Sequence, residues 1–370
     1  MRNLSSIVPI GELLLTTLKL VTESKQNFLR NIWYYALPAE RIKAGQMLAK
    51  QLLGEPVVFG RTQAGEVFAL RDICPHRAVP LSCGRFDGKE IECAYHGWRF
   101  DDGGTCTAIP ALNDDRDLDL SKFQVRRYPV REVQGNIWIY MSDLDRCDER
   151  EPQQTVPEIA GFEGVTHQST FTMKFPCFID HAVVGLMDPS HVPFVHRAWW
   201  WRSDTILTDE IKAFDPSPYG FTMRRHRLER QTFFYRLLGG DAEVEIAFRL
   251  PGVRIEQIVT NTNRVCNLTV ITPISETETE VTTMFYTTIP WFKPLRWLIQ
   301  PFITTFLGQD RDMVVKQQIG LKYNPPLMLI RDADTQAIWY YQLRAEYLKS
   351  IGEDREFSNP VKSQILHWRS

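Results

Sequence analysis

Cys74-Pro-His-Arg77 and Cys93-Ala-Tyr-His-Gly-Trp98, with sixteen residues between His76 and Cys93, are the stretches that decide the fold of this chain. Each stretch pairs one cysteine with one histidine. Two such pairs can hold a 2Fe–2S cluster, with thiolates on one iron and imidazoles on the other. Because imidazole is neutral, such a cluster accepts an electron more readily than an all-cysteine cluster, so the sequence predicts redox chemistry. The four candidate ligands are Cys74, His76, Cys93 and His96.

A structural zinc site is the alternative interpretation of these residues. Zinc modules usually place like residues side by side, as in Cys-x-x-Cys, whereas each pair here is mixed. The surrounding residues favour two tight loops that close over a cluster. Gly97 permits a close approach of the backbone, and Trp98 can cover the metals from water. We therefore predict a cluster rather than zinc or a disulfide.

The size and composition of the chain indicate a soluble globular protein with two domains. Its 370 residues are enough for two cores, and its 44% hydrophobic and 24% charged residues are ordinary fractions. The net charge of −2 gives no electrostatic argument for a nucleic-acid partner. Seven cysteines, an odd number, argue against a secreted disulfide framework, so we expect a cytoplasmic protein.

Two apolar segments raise the question of a membrane. Residues 10–21 are too short to span a bilayer, and we predict an amphipathic lead-in helix within residues 1–27. Residues 281–307 are interrupted by Lys293, Arg296 and three prolines, which argues against a transmembrane helix. We interpret this second segment as core and substrate-channel wall; a peripheral contact with a membrane surface is the alternative.

Residues 46–142 show short strand patterns separated by turn residues. Gln63-Ala-Gly65 lies between two β-rich runs and indicates a hairpin, and Gly135-Asn-Ile-Trp-Ile-Tyr140 is typical of a further strand. We predict a small all-β domain over residues 28–145, with the Cys/His loops at one tip. The polar residues 143–154 are the predicted linker.

A second strand-rich block extends from residue 164 to residue 291. Its segments alternate apolar and polar residues, as half-buried strands do. Two helices, at residues 309–322 and 333–349, are predicted to close this domain. The fold class is therefore α+β, with a second domain at residues 155–350 and a C-terminal tail at residues 351–370.

The stretch Met187-Asp-Pro-Ser-His-Val-Pro-Phe-Val-His196 is a candidate for a second metal site. Two histidines and one carboxylate on one face of an iron leave open positions for dioxygen and substrate. Asp188 and His191 are three residues apart, so a helical turn would place them side by side. His191 and His196 are five apart, and Pro193 supplies a reason for the helix to bend between them. Two histidines without a metal, in the core or on the surface, are the alternative.

From Cys74 to Pro110 the chain resembles the Rieske domain of the Rieske-type non-haem iron oxygenases. The resemblance rests on Cys-Pro-His-Arg, Cys-x-x-His-Gly-Trp-x-Phe and Gly104-Thr-Cys-x-x-Ile-Pro110, and it covers most of the chain from about residue 33 to residue 347. The segment that ends at His196 is especially similar to the branch containing pheophorbide a oxygenase and related oxygenases of plants and cyanobacteria.

This resemblance implies an all-β Rieske domain followed by a catalytic domain of antiparallel sheet and helices, of the helix-grip type. It implies that His191 and His196 bind a mononuclear Fe(II). It also implies that Asp188 hydrogen-bonds His191 and, across a subunit boundary, the cluster ligand His96. The expected assembly is a head-to-tail homotrimer, in which the cluster of one subunit lies close to the iron of its neighbour.

The resemblance also requires a carboxylate far downstream as the third iron ligand, and two aspartates are available. Asp312 has Lys316 four residues on, which is a favourable pair on a solvated helix face. Asp310 shares its helix face with largely apolar residues, so it points inward and needs a metal or a partner. The family places its ligand in a Glu/Gln-Asp-x-x-Val context, which Asp310 matches. We predict Asp310, with Asp312 as the alternative.

The chain departs from its branch at Val184 and Gly185, where relatives often have a Glu-Asn pair. The role of that pair must be filled otherwise, and Asp180, two helical turns before Asp188, is the candidate substitute. Trp199-Trp-Trp201 follows the metal motif, and one of its rings is expected to line the substrate pocket, since large apolar walls suit a flat apolar ligand.

These features predict an oxygenase component that takes electrons through the cluster to Fe(II) and inserts oxygen from O2 into an apolar, aromatic or polycyclic substrate. A ferredoxin or a flavin reductase would deliver the electrons from NAD(P)H, because the chain has no Gly-x-Gly-x-x-Gly fingerprint of its own. The branch favours a monooxygenase; dioxygenases use the same metals. A Rieske electron carrier without oxygenase activity is the main alternative, and a binding protein with a relict cluster site is another.

Overall fold

The structure is a computed structural model that describes residues 28–113, 118–143, 152, 154–196, 207–227, 241–289 and 292–370, with backbone only at 292–299. The predicted lead-in helix, most of the predicted linker and Trp199-Trp-Trp201 lie outside the described residues. The described part of the chain divides into two compact units: residues 30–166 form one, and residues 167–370 together with Phe28 and Leu29 form the other. The domain limits at 28–145 and 155–350 stay predictions.

The described part of the first unit is all-β, as predicted. Its strands are β1 Ile32–Pro38, β2 Gln46–Leu52, β3 Glu55–Arg61, β4 Val67–Arg71, β5 Arg85–Phe86, β6 Ile91–Glu92, β7 Arg99–Phe100, β8 Cys106–Ala108, β9 Arg127–Tyr128, β10 Val130–Val133 and β11 Asn136–Met141. They form three antiparallel sheets, ordered β1-β11-β10, β2-β3-β4-β9 and β5-β6-β7-β8. The predicted hairpin at Gln63-Ala-Gly65 joins β3 to β4, and the predicted strand near residue 136 is β11.

The small sheet β5-β6-β7-β8 supports the two Cys/His loops. Phe86, Ile91 and Phe100 lie in one row across β5, β6 and β7, and the last two are fully buried. Because side chains alternate between the faces of a strand, the neighbouring row is charged and faces away from this core. The apolar row belongs to a cluster of buried residues that also contains Cys74 and Cys93. The cysteines are therefore part of the core of this unit.

An eight-stranded antiparallel sheet dominates the described part of the second unit. Its strands are β12 Ser169–Phe175, β13 Asp209–Ser217, β14 Gly220–Arg227, β15 Glu243–Arg249, β16 Val253–Val259, β17 Arg264–Ser275, β18 Glu278–Thr287 and β19 Gln364–Arg369. They are ordered β12-β18-β17-β16-β15-β14-β13-β19. The described helices are α1 Ile179–Met187, α2 Val192–Val195, α3 Phe292–Leu321 and α4 Thr335–Gly352. Helix α1 contacts β17 and β18 as well as α3 and α4, so it links the sheet to the other two helices.

Helix α3 is longer than predicted, since it begins at Phe292 rather than at residue 309. Its prolines had suggested an interrupted segment. Pro294 lies in the first turn, where the missing N–H has no helical acceptor, and Pro301 is accommodated inside the helix. Among the described helices, none combines the length and the apolar composition that crossing a bilayer requires.

The predicted C-terminal tail is wrong for its last residues. Residues Gln364–Arg369 form β19, which pairs antiparallel with β13 at the edge of the large sheet. The alternation of side chains explains this pairing: Leu366 and Trp368 are buried, whereas Ile365 is 57% exposed. The segment is therefore part of the second unit, and its alternation of buried and exposed side chains is too short to stand out in the sequence.

Leu366 and Ile365 offer a direct test of the edge strand. Leu366→Ala should lower the free energy of unfolding by about 2–5 kcal/mol, because the side chain is completely buried. Ile365→Ala, one residue away on the exposed face, should change it by no more than about 0.5 kcal/mol. Urea denaturation of both variants measures these values. Equal effects of the two substitutions would contradict the assigned register.

Candidate metal centres

The first Cys/His loop is a tight turn that follows β4. The N–H of Cys74 donates to the carbonyl of Val79 at 2.9 Å, and the N–H of Ala78 donates to the carbonyl of Cys74 at 2.9 Å. Ala78 adopts a left-handed conformation with φ of 58°. The loop is therefore closed by its own backbone, and it holds Cys74 at its base.

The second loop, between β6 and β7, repeats this pattern. The N–H of Cys93 donates to the carbonyl of Trp98 at 2.8 Å, and the N–H of Gly97 donates to the carbonyl of Cys93 at 3.0 Å. Gly97 has φ of 69°, at the position that matches Ala78 in the first loop. Glycine relieves the steric cost of this conformation, which gives the predicted importance of Gly97 a physical basis.

The four predicted cluster residues converge at the tip of the two loops. Cys74 and Cys93 are 2% and 3% exposed, and neither forms a disulfide. The rings of His76 and His96 have their centroids 4.4 Å apart. Trp98 stacks on His76 at 4.7 Å with nearly parallel planes; that it covers the metals from water stays a prediction.

The two cysteine sulfurs and two imidazoles at this tip suit a cluster of positively charged iron ions. Burial raises the pKa of the Cys74 thiol, and the neighbouring Cys93 sulfur raises it further. Two adjacent buried sulfurs are unfavourable as thiolates unless a cation compensates their charge. Two sulfurs below and two imidazoles near the surface supply the mixed ligands of a Rieske cluster.

The second candidate site is built where α1 ends. Helix α1 stops at Met187, and Asp188 has an extended backbone conformation. His191 and His196 flank the single turn of α2, with Pro193 in its first turn. Our expectation that Asp188 and His191 share a helical turn, and that Pro193 bends a continuous helix, is therefore wrong. Pro189 and Pro193 favour a break here, because proline lacks the N–H that a helix interior requires.

The structure brings His191, His196 and Asp310 together. The Nε2 atoms of the histidines are 3.3 Å apart, and each lies 3.3 Å from Oδ1 of Asp310. One metal ion about 2.1 Å from three ligand atoms at right angles would separate them by about 3 Å. The second oxygen of Asp310 is buried and has no hydrogen-bond partner. A buried carboxylate between two imidazole nitrogens fits a divalent metal ion.

Asp312 does not reach this site. Its side chain is exposed on α3, whereas Asp310 is only 8% exposed. The structure thus agrees with the inward orientation expected of Asp310. Asp180 also lies elsewhere than expected, because its carboxylate accepts a hydrogen bond from Tyr340 at 2.7 Å and lies 3.5 Å from Arg344. These partners on α4 occupy Asp180, so it does not substitute for the missing Glu-Asn pair.

Two residues of α3 that the sequence analysis missed support His196. Gln309 places Oε1 3.0 Å from Nδ1 of His196, where it can accept the ring proton and direct Nε2 towards Asp310. Phe306 stacks under the same imidazole at 3.6 Å. Phe306 lies three residues before Gln309 and four before Asp310, so all three are neighbours on the surface of α3. This helical spacing is the signal that would have found them.

Asp188 lies beside His191. Oδ2 of Asp188 lies 3.6 Å from Nδ1 of His191, and Oδ1 accepts the N–H of Ser190 at 2.7 Å. Burial lowers the pKa of His191, but the carboxylates of Asp188 and Asp310 outweigh it and raise the pKa to about 9. Burial lowers the pKa of His196. The negative charge on both sides of His191 suits a site that holds a cation.

A cavity of about 280 Å³ adjoins this site between α1, α3 and α4. Its walls include His181, Asp188, Asp310, Gln317 and Asp334. Val184 and Gly185, the residues that replace the Glu-Asn pair, also line it. A Cβ atom at Gly185 would meet nothing within 4 Å, so the departure leaves open space here. His181 was not among the predicted site residues, and no motif marks it.

Two family matches cover the two units. Residues 32–129 match the Rieske [2Fe-2S] domain, and residues 185–350 match the vanillate O-demethylase oxygenase C-terminal domain. With a mixed Cys/His tip and a His-His-Asp site already located, these matches place the chain in the family of Rieske-type non-haem iron oxygenases.

Several curated relatives share this family. The chain is 30% identical over 197 residues to 4beta-methylsterol monooxygenase of Methylococcus capsulatus, a match that covers 51% of this chain and 53% of the relative. It is 31% identical over 230 residues to the oxygenase component of dicamba O-demethylase of Stenotrophomonas maltophilia, covering 61% and 57%. Chlorophyllide a oxygenase of Chlamydomonas reinhardtii is 31% identical, over 47% of this chain and 25% of the relative, in line with the predicted branch. The chain spans about half the length of the first two relatives.

Solved structures agree on the fold. Dicamba monooxygenase bound to dicamba superimposes with a TM-score of 0.70 at 23% identity, covering 89% of this chain and 99% of that protein. At this level of identity the likeness concerns the fold. It confirms an all-β Rieske domain followed by a sheet-rich domain with a few helices.

Gln309 allows a test of the His-His-Asp site without touching a predicted ligand. Gln309→Leu should weaken the binding of added Fe(II) or Co(II) about 10–100-fold, because His196 loses the acceptor that directs its ring. Gln300→Leu, an exposed position on the same helix, is the matched control and should bind as the wild type does. Calorimetric titration of metal-depleted protein measures both affinities. Equal metal affinities for the two variants would show that Gln309 does not contribute to metal binding.

Proposed function

We propose that this protein is the oxygenase component of a Rieske-type system. Cys74, His76, Cys93 and His96 would hold the 2Fe–2S cluster, and His191, His196 and Asp310 would hold a mononuclear Fe(II). When bound, these groups would supply single electrons and activate O2, so that oxygen enters an organic substrate. The observation that carries this proposal is the triangle of His191, His196 and Asp310 with its 3.3 Å edges.

The residues around the triangle prepare it for a metal that keeps open positions. Three ligand atoms from one side are the pattern of the two-histidine, one-carboxylate sites that leave room for O2 and substrate. Gln309 and Phe306 fix the ring of His196, and Asp188 lies beside the ring of His191. The described protein offers no fourth His, Cys, Asp or Glu within ligand distance of these three.

The triangle argues against the alternative of a Rieske electron carrier. A carrier needs only the cluster and gains nothing from burying Asp310 beside two histidines. The second oxygen of Asp310 is buried without a hydrogen-bond partner, which is costly unless a metal ion or another ligand binds there, and this favours the oxygenase over the carrier.

We propose an apolar, aromatic or polycyclic substrate and a monooxygenase reaction. Support comes from the names of relatives, which include a 4beta-methylsterol monooxygenase, a dicamba O-demethylase and chlorophyllide a oxygenases. Electrons would come from a ferredoxin or a flavin reductase that oxidises NAD(P)H, because the chain lacks a dinucleotide fingerprint of its own.

We further propose a head-to-tail homotrimer in which Asp188 hydrogen-bonds the partner subunit's His96. The charges of the two surfaces support this pairing. Arg77 is the only charged residue in the loops 74–79 and 93–98. The cavity beside Asp188 is lined by carboxylates, among them Asp334. Burial raises the pKa of Asp334, and the nearby charge of Asp188 contributes to the shift. A basic tip and an acidic cavity are complementary, which favours the proposed orientation.

Asp310 and Asp312 provide the experiment that tests the proposed activity. Asp310→Ala should abolish substrate-dependent O2 consumption and product formation by the reconstituted system, because the site loses its anionic ligand. Asp312→Ala, two residues away and exposed, should retain both. The EPR signal of the reduced cluster serves as the control for an intact Rieske domain in each variant. Product formation by Asp310→Ala at the wild-type rate would refute the assignment.

Asp188 tests the proposed electron route separately from metal binding. Asp188→Ala should leave both metals largely bound, because Asp188 is not a proposed ligand, but should lower turnover severely. The measurements are iron per chain and single-turnover product formation after chemical reduction of the cluster. Normal turnover in this variant would exclude the bridging role, whatever its effect on His191.

A further inference from the structure

A buried carboxylate lies at the base of the first Cys/His loop, two residues before Cys74. Asp72 is 5% exposed. Its Oδ1 accepts the N–H of Ser82 at 2.7 Å, and its Oδ2 accepts the hydroxyl of Ser82 at 2.6 Å. Both carboxylate oxygens of Asp72 therefore accept hydrogen bonds from the same residue, Ser82. The described residues place no lysine or arginine in an ion pair with Asp72.

The two loops differ in how their bases are closed. The second loop connects two paired strands, since Glu92 on β6 lies opposite Arg99 on β7 and the two side chains form an ion pair at 3.1 Å. The first loop connects β4 to β5, and these strands belong to different sheets. Unlike β6 and β7, these two strands therefore do not pair with each other beneath the loop. The contact of Asp72 with Ser82 takes that place, because it joins the chain before Cys74 to the chain after Leu81.

The backbone on both sides of this contact is anchored. The N–H of Asp72 donates to the carbonyl of Pro56 at 2.9 Å, which ties it to the start of β3. Leu81, next to Ser82, is completely buried in the core that contains both cysteines. Asp72 therefore has little freedom to move away from the loop, and its charge is held beside it.

We propose that Asp72 is a positioning residue for the cluster and lowers its reduction potential. The inference rests on the proposed binding of a cluster by Cys74, His76, Cys93 and His96. Reduction adds one negative charge to the cluster, and a fixed, poorly solvated negative charge nearby opposes this addition. The two bonds from Ser82 partly offset the charge of Asp72, so Ser82 weakens its effect on the cluster.

Two substitutions should shift the potential in opposite directions. Asp72→Asn removes the charge and retains one acceptor for Ser82, so the cluster should become easier to reduce and its midpoint potential should rise. Ser82→Ala keeps the charge and removes one donor, so the potential should fall. A purely structural role would loosen the loop in both variants and would not produce opposite signs. Asp87→Asn, an exposed carboxylate in the turn after β5, is the charge-matched control and should leave the potential near the wild-type value.

The experiment is a dye-mediated redox titration of anaerobically purified full-length protein, followed by the EPR signal of the reduced cluster. A higher potential for Asp72→Asn with a lower one for Ser82→Ala supports the proposal. An unchanged or lower potential for loaded Asp72→Asn overturns it. If Asp72→Asn does not retain the cluster, Ser82→Ala decides alone: a lower potential supports the proposal, and an unchanged or higher one overturns it. Absence of a Rieske signal in the wild type would instead refute the cluster itself, whereas a loaded protein without oxygenase activity would leave this test intact.

Discussion

The buried carboxylate of Asp310 is the constraint on which the architecture of the second unit depends. The carboxyl group of Asp310 is 8% exposed and one of its oxygens has no hydrogen-bond partner, which is costly unless a ligand binds there. Helix α3 presents Asp310 to the site and, within little more than one turn, also carries Phe306 and Gln309, which support His196. The two histidines flank the single turn of α2, which follows the break at the end of α1, and the short turn directs both rings to one point. The long helix α3 thus supplies the carboxylate, and the ends of the short helix α2 supply the two imidazoles.

In the first unit, loops rather than helices position the candidate ligands. Cys74 and Cys93 must be buried, while their backbones turn sharply enough to bring two histidines to the same tip. Both loops use the same pair of backbone hydrogen bonds and a left-handed residue in the fifth position. The segments that flank the second loop are joined by strand pairing, whereas those that flank the first are joined by the contact of Asp72 with Ser82. This difference underlies the proposed influence of Asp72 on the electron affinity of the cluster.

Much of this arrangement could be predicted from the sequence, because ligand type and spacing are local. The mixed Cys/His pairs, the two-domain order, and the choice of Asp310 over Asp312 all follow from short patterns. The errors occurred where distant residues or proline context decide. Pro294 and Pro301 concealed the true start of α3, and Asp180 is bound to α4 rather than to the site. The contact of Asp72 with Ser82 joins residues ten apart without periodicity, so no sequence pattern announces it.

The central claim is that one chain holds both a cluster and a separate catalytic iron. The most direct measurement is the iron content of anaerobically purified wild-type protein, together with the EPR spectrum after reduction. The account predicts about three irons per chain and a Rieske-type signal. About two irons with the same signal, unchanged after reconstitution with Fe(II), would contradict the catalytic site. Zinc without such a signal would contradict the account as a whole.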